Sequence, residues 1–96
     1  MLELRPSCEH CRRPLPPASP DARICSFECT FCAQCVEHVL FGVCPNCGGG
    51  LERRPVRPVA LLAKHPASSV QVHKHVDELA FGPLLERMRD VPAHRR

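Results

Sequence analysis

The chain has 96 residues, a formal charge of +3, no Trp, no Tyr and four Phe, with eight cysteines confined to residues 8–47. A domain this small and poor in aromatics is marginal on apolar burial alone, so it needs a covalent or metal staple. No stretch approaches the roughly 18 apolar residues of a membrane span, and the start, MLELRPSCEHC, lacks the apolar run of a signal peptide; the expectation is a cytoplasmic protein whose reduced thiols bind metal.

Cys8 and Cys11 form the first CxxC pair, a tight turn able to bring two sulfurs onto one ion. Residues 12–24, RRPLPPASPDARI, are Pro-rich and aperiodic, and their four prolines before Cys25 exclude a helix. ARICSFE reads as one arm of a short hairpin that carries Cys25 and Cys29. Cys32 and Cys35 follow as a second CxxC pair. In VEHVLFGV, Val36, Val39, Leu40 and Val43 fall at i, i+3, i+4 and i+7. That is the stripe of one short amphipathic helix, with Gly42 placed to end it.

CPNC supplies Cys44 and Cys47, and the following GGG turns the chain. LERRPVRPVALLAKHPASS begins extended, because its prolines exclude regular helix until about Pro58. Residues 58–64 have room for one or two helical turns. Residues 76–90, VDELAFGPLLERMRD, have helical tendency with Leu79, Leu84, Leu85 and Met88 as the apolar side. Gly82-Pro83 is expected to divide or kink that segment, and VPAHRR reads as a frayed end. The chain thus divides into a double-zinc domain at 1–52, a Pro-rich basic extended segment at 53–75, and a helical, partly frayed tail at 76–96.

The eight cysteines run C-x2-C-x13-C-x3-C-x2-C-x2-C-x8-C-x2-C. A tetrahedral zinc with Zn–S near 2.3 Å places its sulfurs about 3.8 Å apart, which CxxC reaches easily and the Cys25/Cys29 pair can also reach. Four pairs make two zinc sites. Sequential pairing would join Cys8/Cys11 to Cys25/Cys29 and Cys32/Cys35 to Cys44/Cys47. Interleaved pairing would join Cys8/Cys11 to Cys32/Cys35 and Cys25/Cys29 to Cys44/Cys47. A helix across residues 36–43 would hold Cys35 and Cys44 about 13 Å apart, too far to share an ion, so it favours the interleaved arrangement. Four thiolates on a dication leave a net charge of about −2, so two filled sites would take the chain from +3 to about −1.

Interleaved ligation, the Phe before the fifth ligand in TFCAQC, a helix after the sixth and CPNC for the last pair resemble a RING finger over residues 8–47. The resemblance implies a small metal-stabilised α+β fold: a cross-brace with two zinc ions, a short hairpin, one short helix and an irregular or helical C-terminal extension. The chain departs from that pattern at Cys29, where many RING domains have His, at Gly48, where a basic residue is usual, and at His10, where ubiquitin ligases are usually apolar. The last two departures speak against ligase activity more than against the fold. LELRP, LPPASPDARICSFECTFC, CPNCGGGLERRPVRP and KHPAS also resemble, over residues 1 to about 69, a small bacterial family catalogued as a domain of unknown function. That likeness implies zinc and no particular activity.

Other polar residues read blandly. His10 and His38 lie near the cysteine pairs, but eight thiols already fill eight ligand places. His73 and His75 read as solvated, as do Arg53, Arg54 and Arg57 at a strand edge. The sequence offers no open three-ligand zinc site and no spare cysteine with an activating base. CGGG lacks the Lys-Ser/Thr of a phosphate-binding loop. The expectation is therefore a non-enzymic, zinc-binding interaction module whose partner is another protein, with Phe27, Phe31, Leu40 and Phe41 as candidate contacts. Rival readings are nucleic-acid binding through the basic tail in the manner of zinc ribbons, a RING-type ligase-like activity, and a zinc or redox sensor. With two zincs residues 1–49 carry about −5 and residues 50–96 about +4, so only the tail has the charge for nucleic acid. No membrane partner is expected.

Overall fold

In the computed structural model, which describes residues 1–96, the expected small α+β architecture is built on a three-stranded antiparallel sheet. Strands β1 (Ala22–Ile24) and β2 (Thr30–Cys32) form the hairpin, in register Ala22 with Cys32, Arg23 with Phe31 and Ile24 with Thr30. The connecting loop closes on itself: Cys25 N–H donates to the Cys29 carbonyl at 3.2 Å and Glu28 N–H to the Cys25 carbonyl at 3.0 Å. This tight closure puts Glu28 at φ +66°, a left-handed conformation that costs a non-glycine residue energy.

A third strand, β3 (Glu52–Arg53), pairs with β1 on the side away from β2. The sequence reading has this stretch as extended chain with its arginines at a strand edge; the triple-glycine turn delivers it to the edge of the hairpin. Gly50 has room only for its hydrogen there, since an added Cβ would come within 2.9 Å of the Ala93 Cβ.

The helix after β2 begins as α1 (Ala33–Cys35) and continues as a π-helical segment over Val36–Leu40. Phe41, in the left-handed conformation at φ 50°, and Gly42 both donate their N–H to the Val36 carbonyl. Termination therefore begins one residue earlier than Gly42, through wide i→i−5 closure at Phe41. The predicted stripe holds in part: Leu40 and Val43 are fully buried, while Val36 and Val39 pack at the edge of the core.

The basic segment departs from expectation. Arg54 is 1% exposed rather than solvated. Its guanidinium donates to the carbonyls of Arg5 (2.9 Å), Leu15 (3.1 Å) and Pro16 (3.1 Å). A Pro-rich loop has few regular partners for its carbonyls, and the five-donor fork of arginine is suited to satisfy several at once. Burial lowers the Arg54 pKa from its usual value. Arg57 likewise donates to Leu2 (2.7 Å) and His65 (2.9 Å) carbonyls. Arg53 alone of the three stays exposed.

Helix α2 (Val59–Leu62) provides a single turn where one or two were expected over residues 58–64, and α3 spans Glu78–Met88 without interruption at Gly82-Pro83. The bond Pro83 cannot make would go to the Leu79 carbonyl, and Leu79 is 90% exposed, where water can take that carbonyl. Asp77 starts the helix, accepting from the N–H groups of Leu79 (3.1 Å) and Ala80 (3.3 Å). Its inward face is Phe81, Leu84, Leu85 and Met88, not Leu79. The C-terminus is docked rather than frayed. Ala93–Arg95 form a 3-10 turn, and Arg96 donates to the carbonyls of Val91 (2.9 Å) and Gly42 (3.0 Å).

One core serves all of this. Its 12 buried residues include Leu15, Phe31, Leu40 and Val43 from the cysteine-bearing part together with Val76 and Phe81 from the tail. No helix of the molecule is long and apolar enough to cross a membrane.

Candidate metal centres

The eight cysteines gather in two places. Cys8, Cys11, Cys32 and Cys35 bring their sulfurs within 4.8 Å of one another, and Cys25, Cys44 and Cys47 do the same. Cys35 and Cys44 are in different clusters, so the grouping is interleaved, the arrangement that the intervening helix favours. Cys29 stands outside the second cluster, with its thiol beside Cys25 and the Asn46 side chain.

Local turns explain the clusters. In the first knuckle Arg12 N–H donates to the Cys8 carbonyl at 3.0 Å, and in the second Gly48 N–H donates to the Cys44 carbonyl at 2.8 Å. The residue after the Cys8/Cys11 and Cys44/Cys47 pairs is left-handed, Arg12 at φ 66° and Gly48 at φ 77°, whereas Val36 after Cys35 is helical at φ −61°. Glycine adopts that geometry freely and arginine does not. Two backbone donors meet sulfur, Phe27 N–H on Cys25 (3.3 Å) and Gly49 N–H on Cys47 (3.4 Å).

Glu9, inside the first knuckle, is the residue the sequence reading passed over. It is 3% exposed. Its backbone N–H donates to the Thr30 carbonyl at 3.0 Å, and its carboxylate accepts from the Thr30 N–H. That two-way join brings Cys8 and Cys11 beside Cys32 at the end of β2. Arg5 neutralises the carboxylate with a 2.9 Å ion pair. An acidic residue between two metal ligands, four residues after an arginine, was the available signal.

The donor set fits a thiophilic dication. Cys11 and Cys32 sulfurs lie 3.7 Å apart, close to the edge of a zinc–thiolate tetrahedron. Burial pushes the Cys8, Cys35 and Cys44 thiols up, and neighbouring thiols push Cys35 further. Cys29 is raised for the same leading reason, desolvation. Cys11 is also desolvated, yet it falls below the usual thiol value because the Arg13 backbone and the Cys35, Cys8 and Cys32 side chains hydrogen-bond its thiolate. Several thiolates cannot share so small a volume unless a cation offsets their charge. These clusters could hold metal ions.

Residues 1–57 match a family described as a protein of unknown function, DUF1272. The chain belongs to this family. An uncharacterized protein of Rhizobium meliloti (strain 1021) is 65% identical to it over 74 residues, covering 77% of this chain and 88% of the relative. No solved structure matches. The DUF1272 span takes in all eight cysteines, the whole sheet, Arg54 and Arg57, and leaves α3 outside.

The histidines of this DUF1272 protein are not in the thiol clusters. His10 Nδ1 accepts from the Val76 N–H at 2.9 Å, and its ring stacks on His75 with centroids 4.3 Å apart. His10 therefore ties the tail to the first knuckle. Lys74 N–H adds a bond to the Glu9 carbonyl at 2.8 Å.

Proposed function

We propose that the protein is a non-catalytic, zinc-binding module that docks another protein, with one zinc in each cluster. The observation carrying this reading is the interleaving of the two thiol clusters across a sheet with strands of only two or three residues. Cys8, Cys11, Cys32 and Cys35 would hold one ion, and Cys25, Cys44 and Cys47, completed by Cys29, the other. Bound there, zinc would supply cross-linking and charge neutralisation rather than a reacting water.

Of the four expected contact residues, Phe31 and Leu40 are spent on the core, being 1% and 0% exposed. Phe27 is 72% exposed beside Cys25, and Phe41 is 45% exposed under the Arg89 guanidinium, 4.9 Å from its ring centroid. These two aromatics are the surface we assign to the partner. Nucleic acid is the weaker reading, because Arg54 and Arg57 are engaged with backbone carbonyls and are withdrawn from any phosphate footprint.

Elemental analysis of protein purified without added metal is expected to give about two zinc ions per chain, one for each tetrahedral thiolate site. Iron, or a ratio near one, would overturn the two-zinc reading. Zinc-loaded protein used as bait should retain a protein that the Phe27→Ser/Phe41→Ser variant, still zinc-loaded, loses. Retention by that variant would remove the assigned surface. Salt-sensitive retention of DNA or RNA instead would move the reading to nucleic acid.

A further inference from the structure

The two centres differ in closure. In the first, all four sulfurs are already within tetrahedral reach and three of the four cysteines are buried. The knuckle is pinned from outside by Lys74, His75 and Val76 of the tail. No cavity of the molecule is lined by Cys8, Cys11, Cys32 or Cys35.

The second centre has three gathered thiols and a fourth, Cys29, standing aside and partly exposed. Two cavities reach its ligands. One, of about 350 Å3, is lined by Cys47, Phe27, Gly48 and Met88. The other, of about 450 Å3, is lined by Cys25, Ile24 and Glu52. They share Ser26, Gly50 and Ala93, so solvent-sized molecules can approach two of the three fixed ligands.

We propose that the second centre is an exchangeable metal site gated by Cys29 and open to small thiols, whereas the first is permanent. This rests on the zinc reading above. Three fixed thiolates would keep the ion while the fourth place changes hands. The Zn–S bond to Cys29 breaks, and its sulfur keeps the electron pair and takes up a proton. An incoming thiol gives up its proton as it forms the new Zn–S bond. No electron is transferred and the proton count is unchanged. A chelator entering by the same place carries the zinc away, and the remaining structure keeps the first ion.

The test begins with protein whose zinc content has been measured, so that absence of zinc, which would overturn the reading beneath this proposal, is seen before any kinetics. Zinc release to the chromophoric chelator 4-(2-pyridylazo)resorcinol is then followed with and without glutathione. The expected result is two phases differing by at least about tenfold, the faster one accelerated by glutathione. Pulse alkylation with N-ethylmaleimide after the first equivalent should mark Cys25, Cys29, Cys44 and Cys47 and spare the other four. Cys29→Ser should speed the fast phase and leave the slow one at its original rate. Simultaneous loss of both ions, or earlier alkylation of Cys8, Cys11, Cys32 and Cys35, would overturn the proposal. The alkylation map of the unmodified protein decides it even if the variant does not fold.

Discussion

Glu9 shows how one side chain can decide where a thiol cluster forms. Its carboxylate is buried, paired with Arg5 and hydrogen-bonded to the Thr30 N–H, and its own backbone returns a bond to Thr30. Replacing it with alanine leaves the Arg5 guanidinium with only its longer 3.7 Å pair to Glu3, and the buried Thr30 amide without an acceptor. Loss of one member of such a pair typically costs about 3–5 kcal/mol. In urea titrations of metal-saturated protein, Glu9→Ala should lose stability of that order, and Glu9→Gln, which keeps an acceptor, should lose less. Arg54 makes a parallel case. Lysine carries the same charge but cannot span three carbonyls with one planar fork, so Arg54→Lys should still lose about 2–3 kcal/mol by the same measurement. Full stability in Arg54→Lys would mean that charge, not fork geometry, is what the Pro-rich loop requires.

At the scale of elements, α3 is held by very little secondary structure and much packing. Asp77 caps its start, and Phe81, Leu84, Leu85 and Met88 face the core. Leu84 and Met88 also reach the second knuckle, where an added Cβ at Gly48 would meet them at 3.3 and 3.8 Å. Truncating a buried Phe to Ala costs about 3–5 kcal/mol when the cavity cannot collapse. An 11-residue helix is too short to persist in water without packing. Phe81→Ala is therefore expected to release residues 76–96 while the thiol clusters stay formed. Amide exchange should rise sharply across α3 and remain slow in β1 and β2. A uniform rise through the sheet would show instead that tail and metal centres fold as one cooperative unit.

For the whole molecule, stability should follow metal occupancy. Structural zinc contributes about 10–16 kcal/mol of apparent binding free energy near neutral pH, against a core of 12 buried residues, five of them cysteines. Removal of both ions is expected to unfold residues 8–50, read as loss of dispersed amide signals; a folded metal-free protein would show that the apolar core suffices. The pH dependence has a definite sign. Without metal, burial raises the Cys35 and Cys44 thiols, so they hold protons through the neutral range. Metal must displace those protons. Binding should therefore release protons into a weak buffer and weaken steadily as pH falls; affinity independent of pH would mean that thiols are not the ligands.

The sequence by itself determined that Cys8/Cys11, Cys32/Cys35 and Cys44/Cys47 each act as a pair, because CxxC turns act over a few residues; Cys29, expected beside Cys25 as a fourth thiol, stands outside that cluster. It also favoured the pairing that joins Cys8 to Cys35, since a helical rise between Cys35 and Cys44 would hold them too far apart to share an ion; the clusters agree. Residues 58–64 turned as expected because proline chemistry is local. Only the tertiary structure decided the fate of Arg54, of Glu9 and of the C-terminus. A charged side chain reads as solvated until the fold brings unpaired carbonyls or a buried amide to it, and those partners lie 38 to 49 residues away for Arg54 and 21 away for Glu9. The outward turn of Leu79 and inward turn of Phe81 have the same origin. Both fit a helix, and only the position of the cysteine-bearing core chooses which face is covered. The position of Cys29 is likewise tertiary, set by a hairpin loop whose closure fixes the backbone and leaves the thiol beside Asn46.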